Sequence, residues 1–141
     1  MITMRRVGLL LAMSLMPAWV AALTWPDHHR VAEHAGRPRL LLKVDQHVGM
    51  APTLVALTAD LVGGADDDKE FYCPTLEWDW DDETESESTF DCRPYRPGVS
   101  AMVRHFAVEH VFEEAGEYHV TFRLTRHETE LASAETSIFL K

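Results

Sequence analysis

From Tyr118 to Leu124 every second residue is apolar: Tyr118, Val120, Phe122 and Leu124 alternate with His119, Thr121 and Arg123. In an extended chain a period of two sends one set of side chains to each face, so this segment reads as a half-buried β-strand. The same alternation runs through Thr53 to Leu61, with Val55, Leu57, Ala59 and Leu61 on one face. It recurs where Leu76, Trp78 and Trp80 alternate with Thr75, Glu77 and Asp79. Leu40 to Val44, Val103 to Phe112 and Thr136 to Leu140 are further short apolar stretches. Gly, Pro and acidic breaks separate them, and no longer repeat is visible, so the chain is expected to be all-β, a two-sheet sandwich.

The length of 141 residues fits one domain better than two. Met1 to Ala22 has the three parts of a secretory signal: Arg5-Arg6, an apolar run from Val7 broken by Pro17, and small residues at Val20 and Ala22. Cleavage before Leu23 is expected, because the run is shorter than the roughly 20 residues of a spanning helix. No membrane span is then expected, and residues 23–39, polar and irregular, read as a leader into a domain over 40–141. Arg outnumbers Lys, and the chain lacks Asn, so it has no N-glycosylation acceptor and no Asn-Gly hairpin turn. The Arg skew suggests a bacterial source, and the expected location is periplasmic or extracellular.

The two cysteines, Cys73 and Cys92, are an even pair in a chain bound for an oxidising compartment, so a disulfide is expected. Chain entropy puts its contribution at about 3 kcal/mol. Redox or metal-ligand readings lack the Cys-x-x-Cys spacing those roles favour. The formal net charge is −10, from 23 acidic and 13 basic residues. That balance excludes nucleic acid and anionic membranes as partners, since binding them rests on neutralising phosphates with basic side chains.

One local pattern sharpens the expected fold. Glu114-Ala115-Gly116-Glu117-Tyr118 resembles the tyrosine corner of immunoglobulin-type sandwiches, where a Tyr hydroxyl bonds back to the main chain. Val120 stands where antibody domains carry a Cys, so the inter-sheet bridge of those domains is absent. Trp78-Asp79-Trp80-Asp81-Asp82-Glu83 is similar to the Trp-Asp-Phe-Gly-Asp-Gly signature of PKD (polycystic kidney disease) domains. His110-Val111-Phe112, then Gly116, Tyr118 and Val120 in their strand, resemble the later His-Thr-Tyr and Gly-Thr-Tyr-Thr-Val stretch of that family. The resemblance covers roughly Leu40 to Lys141. It implies an immunoglobulin-like antiparallel sandwich for extracellular binding, adhesion or spacing, without catalysis of its own. Trp78, Asp79, Trp80, Asp82, His110, Phe112, Gly116, Tyr118 and Val120 are then motif residues with structural roles. Asp81 and Glu83 replace both family glycines, so the tight turn there is expected to be remodelled.

Chemistry has few places to sit. Most of the chain's acidic residues, thirteen of 23, lie between Asp60 and Asp91, with one base, Lys69, among them. Asp79, Asp81 and Glu83 have the alternate spacing that opens a calcium-binding EF-hand loop, but Thr84 stands in place of its Gly and Phe90 in place of its bidentate Glu. The competing expectation is a solvated, self-repelling loop around Thr84 to Ser88. His28, His29, His34, His105, His110 and His119 invite a zinc or copper site, yet His105 and His110, five apart on a strand, point to opposite faces. His127-Glu128 is not followed by the rest of a His-Glu-x-x-His motif. Trp78 and Trp80 read as core, the alternative being a platform for stacking sugars. No Gly-x-Ser-x-Gly elbow or phosphate-binding Gly loop is present, and Glu77 and Asp79 read as a solvated edge, so no enzyme is expected. The sequence thus points to an exported, non-catalytic domain acting through a protein or glycan partner. A divalent-metal protein using the acidic loop or the histidines is the alternative.

Overall fold

The computed structural model describes residues 36–141. The signal segment, residues 1–22, and most of the leader, including His28, His29 and His34, lie outside the described residues. Eight strands follow in order: β1 (Arg39–Val44), β2 (Val48–Gly49), β3 (Thr53–Val62), β4 (Thr75–Asp79), β5 (Glu85–Ser88), β6 (His105–Phe112), β7 (Gly116–Arg126) and β8 (Thr129–Leu140). They form a three-stranded sheet, β1-β3-β6, and a five-stranded sheet, β2-β8-β7-β4-β5. All pairs are antiparallel except β2 with β8. The fold is an all-β immunoglobulin-like sandwich.

The alternating residues build its interior. Val55, Leu57, Ala59 and Leu61 of β3 face Val120, Phe122 and Leu124 of β7, with Leu76, Trp78, Phe106, Phe112, Ile138 and Leu140 closing the core. The fully covered side chains each contribute roughly 1.5–3 kcal/mol of transfer free energy. Trp78 sits opposite Phe122 across the β4–β7 pair, their ring centroids 4.0 Å apart. Trp80 stacks on Trp78 at 5.3 Å. Its side chain stays in the core although β4 ends at Asp79, one residue earlier than the alternation predicts.

Three differences from the sequence expectations have physical causes. Glu85–Ser88 is a strand and not a solvated loop: it pairs with β4, and Ser86 Oγ accepts the Trp80 Nε1–H at 2.9 Å. Pairing sets Glu85 opposite Asp79 and Glu87 opposite Glu77, like charges that oppose it, and Arg123, 3.5 Å from Glu77, offsets the second pair. Second, β8 begins at Thr129 and not Thr136, because the chain reverses through His127 and Glu128, both at positive φ (49° and 64°). That is the backbone pattern of a type I′ hairpin turn without its usual Asn or Gly. Third, β6 begins at His105, and Arg104 turns its guanidinium onto the carbonyls of Leu61, Gly63 and Gly64 and onto Asp66. Gly64 adopts φ +69°, and a Cβ there would lie 2.3 Å from the Pro38 ring, so only Gly fits this turn.

Cys73 and Cys92 are joined as a disulfide, tying the entry of β4 to the β5–β6 connection. Beside it the Tyr72 hydroxyl donates to Arg93 O at 2.9 Å and the Tyr95 hydroxyl to Asp67 O at 2.7 Å. The opposite end of β4 carries the acidic motif.

Candidate functional site

Six of the nine motif residues meet at this second end: Asp79, Trp80, Asp82, His110, Phe112 and Tyr118. The chain leaves β4 at Asp79 and re-enters β5 at Glu85, closing a turn in which Trp80 N–H donates to Thr84 O at 3.2 Å. Asp79 Oδ1 accepts Asp81 N–H, and Asp82 Oδ1 accepts Thr84 N–H, each at 3.1 Å. Such side-chain-to-backbone bonds let short acidic residues hold a turn that glycine would otherwise make. Asp81 and Glu83 sit at φ 59° and 68°, left-handed conformations at the two positions where the resembled family has Gly. Asp81 has a use for its side chain there: its Oδ2 accepts the His119 N–H at 2.9 Å, extending the β4–β7 ladder past the end of β4. Glu83 is exposed and bonds to nothing among the described residues.

Asp82 and His110 join the two sheets. His110 projects from β6, its Nε2 lies 2.7 Å from Asp82 Oδ2, and about a fifth of each side chain is exposed (19% and 18%). The imidazole lies flat on Trp80, with centroids 4.1 Å apart and planes 4° off parallel, and its edge meets Phe112 at 4.8 Å. An aromatic column, Phe122–Trp78–Trp80–His110, therefore crosses the core and ends in a hydrogen-bonding ring. Burial pushes the Asp82 carboxyl up, but hydrogen bonds from Thr84 and His110 outweigh it and hold the group below the usual carboxylate range. The Tyr118 hydroxyl donates to Glu114 O at 2.8 Å, the bond of a tyrosine corner, and its ring lies over Gly116, where a Cβ would be in ordinary contact at 3.4 Å. Burial, then the charges of Glu114, Asp82 and Asp81, push the Tyr118 hydroxyl above its ordinary range.

Between this turn and the end of β6 lies an open cleft of about 610 Å³, rimmed by Asp81, Glu83, His110, Glu113, Glu114 and Tyr118. Its chemistry is that of a carboxylate-rich surface. The Thr84 hydroxyl donates to Asp82, and no hydroxyl among the described residues hydrogen-bonds His110. Asp79, Asp81 and Glu83 do not converge, since two of the carboxylates bond the main chain and the third points to solvent. Among the described residues no group of three or more His, Cys, Asp or Glu side chains is placed to hold a metal ion. His105, His110 and His119 each lie beside a different acid: Asp60, Asp82 and Asp81. Trp78 and Trp80 are buried, 5% and 1% exposed, so neither offers a face on which a sugar could stack.

Sequence reasoning missed several bonding residues here and at the opposite end. Ser86, Thr84 and Arg104 carry no motif; their partners come from strands and turns distant in sequence. Thr125 donates to Glu77 Oε1 at 2.6 Å across β4 and β7, so Glu77 is half-buried and bonded where a solvated edge was expected.

In fold the chain is similar to the PKD domain of an M14-like peptidase from a Thermoplasmatales archaeon. The TM-score is 0.51 at 13% identity, over 73% of this chain and 94% of that domain. A CARDB domain from Pyrococcus furiosus, described in complex with di-metal ions, has a TM-score of 0.43 at 9% identity, over 75% of this chain and 90% of that one. A superoxide reductase (neelaredoxin) from Ignicoccus hospitalis has 0.42 at 8%, over 75% and 83%. These two scores carry no argument about fold or chemistry. No protein-family model matches the chain, and no curated protein matches it. The architecture is that of a PKD-like immunoglobulin fold.

Proposed function

We propose that the chain is an exported, non-catalytic interaction domain that works through its surface on a protein or glycan partner. The observation that carries this reading is where the chemically able side chains go. Asp82, His110 and Tyr118 are taken up in bonds that hold the two sheets and the corner together. No buried side-chain polar atom among the described residues lacks a partner. A PKD-like fold with a disulfide supports a periplasmic or extracellular setting, since such bridges persist in oxidising compartments. Fold alone does not select the partner.

Two measurements test the reading. Mass spectrometry of protein recovered from the expressing cell is expected to show an amino terminus at Leu23 and no free thiol. The oxidised protein on a sensor surface is then presented with a glycan panel and with purified exported proteins of its own cell. Saturable binding of one of these, unchanged by chelator, is expected. Turnover of ester, peptide or glycoside substrates by the protein, or binding abolished by chelator, would contradict the proposal.

A further inference from the structure

Four strands of the sandwich meet an edge, and they differ in how that edge is protected. β5 is four residues long, fully exposed and charged, with Glu85 and Glu87. β1 packs against β8, and β2 pairs with Phe139 and Leu140, the last two residues of β8. β6 ends the three-stranded sheet on its other side and is eight residues long, His-Phe-Ala-Val-Glu-His-Val-Phe. It has no Lys, no Pro and no bulge; its pairing with β3 runs unbroken from Asp60↔His105 to Thr53↔Phe112. Among the described residues, no group outside β3 hydrogen-bonds the main chain of His105–Phe112. Natural sheets normally blunt such an edge by shortening, charging, bending or covering it, because its open N–H and C=O groups template another strand. Here β5 is short and carries two acids in four residues, whereas β6 is longer, unbent and carries one, Glu109.

The geometry points to the free edge of β6 as a docking edge that takes an extended, basic segment of a partner polypeptide as an added strand. This inference rests on the interaction reading above and names the surface and the partner chemistry. Main-chain bonds to β6 would supply the pairing, as in other strand-addition complexes. Charge selects the occupant. Glu109 is exposed on β6 itself, and the cleft beside its last residues is rimmed by Asp81, Glu83, Glu113 and Glu114 with no Lys or Arg. Alternate Arg or Lys side chains of an added strand would reach these carboxylates. A second copy of this chain is the poorer occupant, because at −10 each copy repels the other.

The test uses the full oxidised chain and two synthetic decapeptides, one alternating Arg with Val and the other Glu with Val, read by amide hydrogen exchange. The Arg peptide is expected to slow exchange in β6, and the Glu peptide is not. Its affinity should fall on the order of tenfold when salt is raised to roughly 0.5 M. The exposed triple variant Glu83→Gln, Glu113→Gln, Glu114→Gln should bind it about tenfold more weakly. These three side chains hydrogen-bond nothing among the described residues, and unchanged near-ultraviolet dichroism will confirm that the variant folds. Protection at β1, β5 or β8 in place of β6 overturns the edge assignment and leaves the interaction reading standing. Equal binding of both peptides overturns the choice of a basic partner. Protection of β6 that rises with protein concentration in the absence of peptide means that a second copy is the occupant, which also overturns it. No protection by either peptide overturns the assignment of the edge, while the partner panel above decides the broader reading on its own.

Discussion

The two ends of β4 are held by different kinds of force. At its entry the disulfide of Cys73 and Cys92, the Tyr72 and Tyr95 hydroxyl bonds and the Arg104 fan on the Gly63–Gly64 turn lock loops to one another. At its exit there is no covalent tie. The acidic turn is held by carboxylates acting as hydrogen-bond acceptors, by His110 against Asp82, and by the aromatic column beneath them. A covalent lock acts mainly by restricting the unfolded chain and is indifferent to protonation. A carboxylate lock works only while it is ionised. Reductant should therefore act on the entry end alone, and acid should loosen the exit end most.

The largest expected effect is at the acidic end. Trp80→Ala removes a side chain that is 1% exposed and that supports both Trp78 and His110. It should lower the unfolding free energy by about 3–5 kcal/mol in urea titrations. Replacing both Cys73 and Cys92 with Ala should lower it by about 3 kcal/mol, with no change in its pH dependence. If acid sensitivity vanished along with the disulfide, the two ends would not be separate devices. The smallest effects are the sharpest contrast. Asp81 and Glu83 share a left-handed backbone, but only Asp81 bonds the chain through its side chain. Glu83→Gly should therefore stabilise by about 0.5 kcal/mol by relieving φ strain. Asp81→Gly should destabilise by about 1 kcal/mol through loss of its bond to the His119 amide. Changes of the same sign in thermal unfolding would break that distinction.

Alternation made β3, β4 and β7 legible, because each buries one complete face against the other sheet. The strand at Glu85–Ser88 was not legible: it contributes no apolar residue, and only the Trp80 indole waiting for Ser86 gives it a place. The first half of β8, Leu131 to Ala134, is hidden for a related reason, its small and half-buried residues giving no period. Its hairpin turn uses His127 and Glu128 at positive φ, a conformation neither residue type advertises. At the site, the Tyr118 corner and the motif residues could be read from order and spacing. The Asp82–His110 contact could not, since a separation of 28 residues across two sheets leaves no local mark. The two replaced glycines were visible as departures, and the structure shows what replaced them: side-chain acceptors that hold a glycine-like turn.

The central claim is that the acidic motif is a clasp between the sheets. A double-mutant cycle with Asp82→Asn and His110→Gln, followed by urea unfolding at neutral and acid pH, tests it most directly. Because the folded Asp82 carboxyl lies below its unfolded value of about 3.9, the clasp contributes fully above that value and is lost as pH falls through the lower folded one. The account predicts a coupling of about 1 kcal/mol or more at pH 7 that disappears in acid. A coupling below about 0.3 kcal/mol at pH 7, with both single variants as stable as the parent, would contradict it.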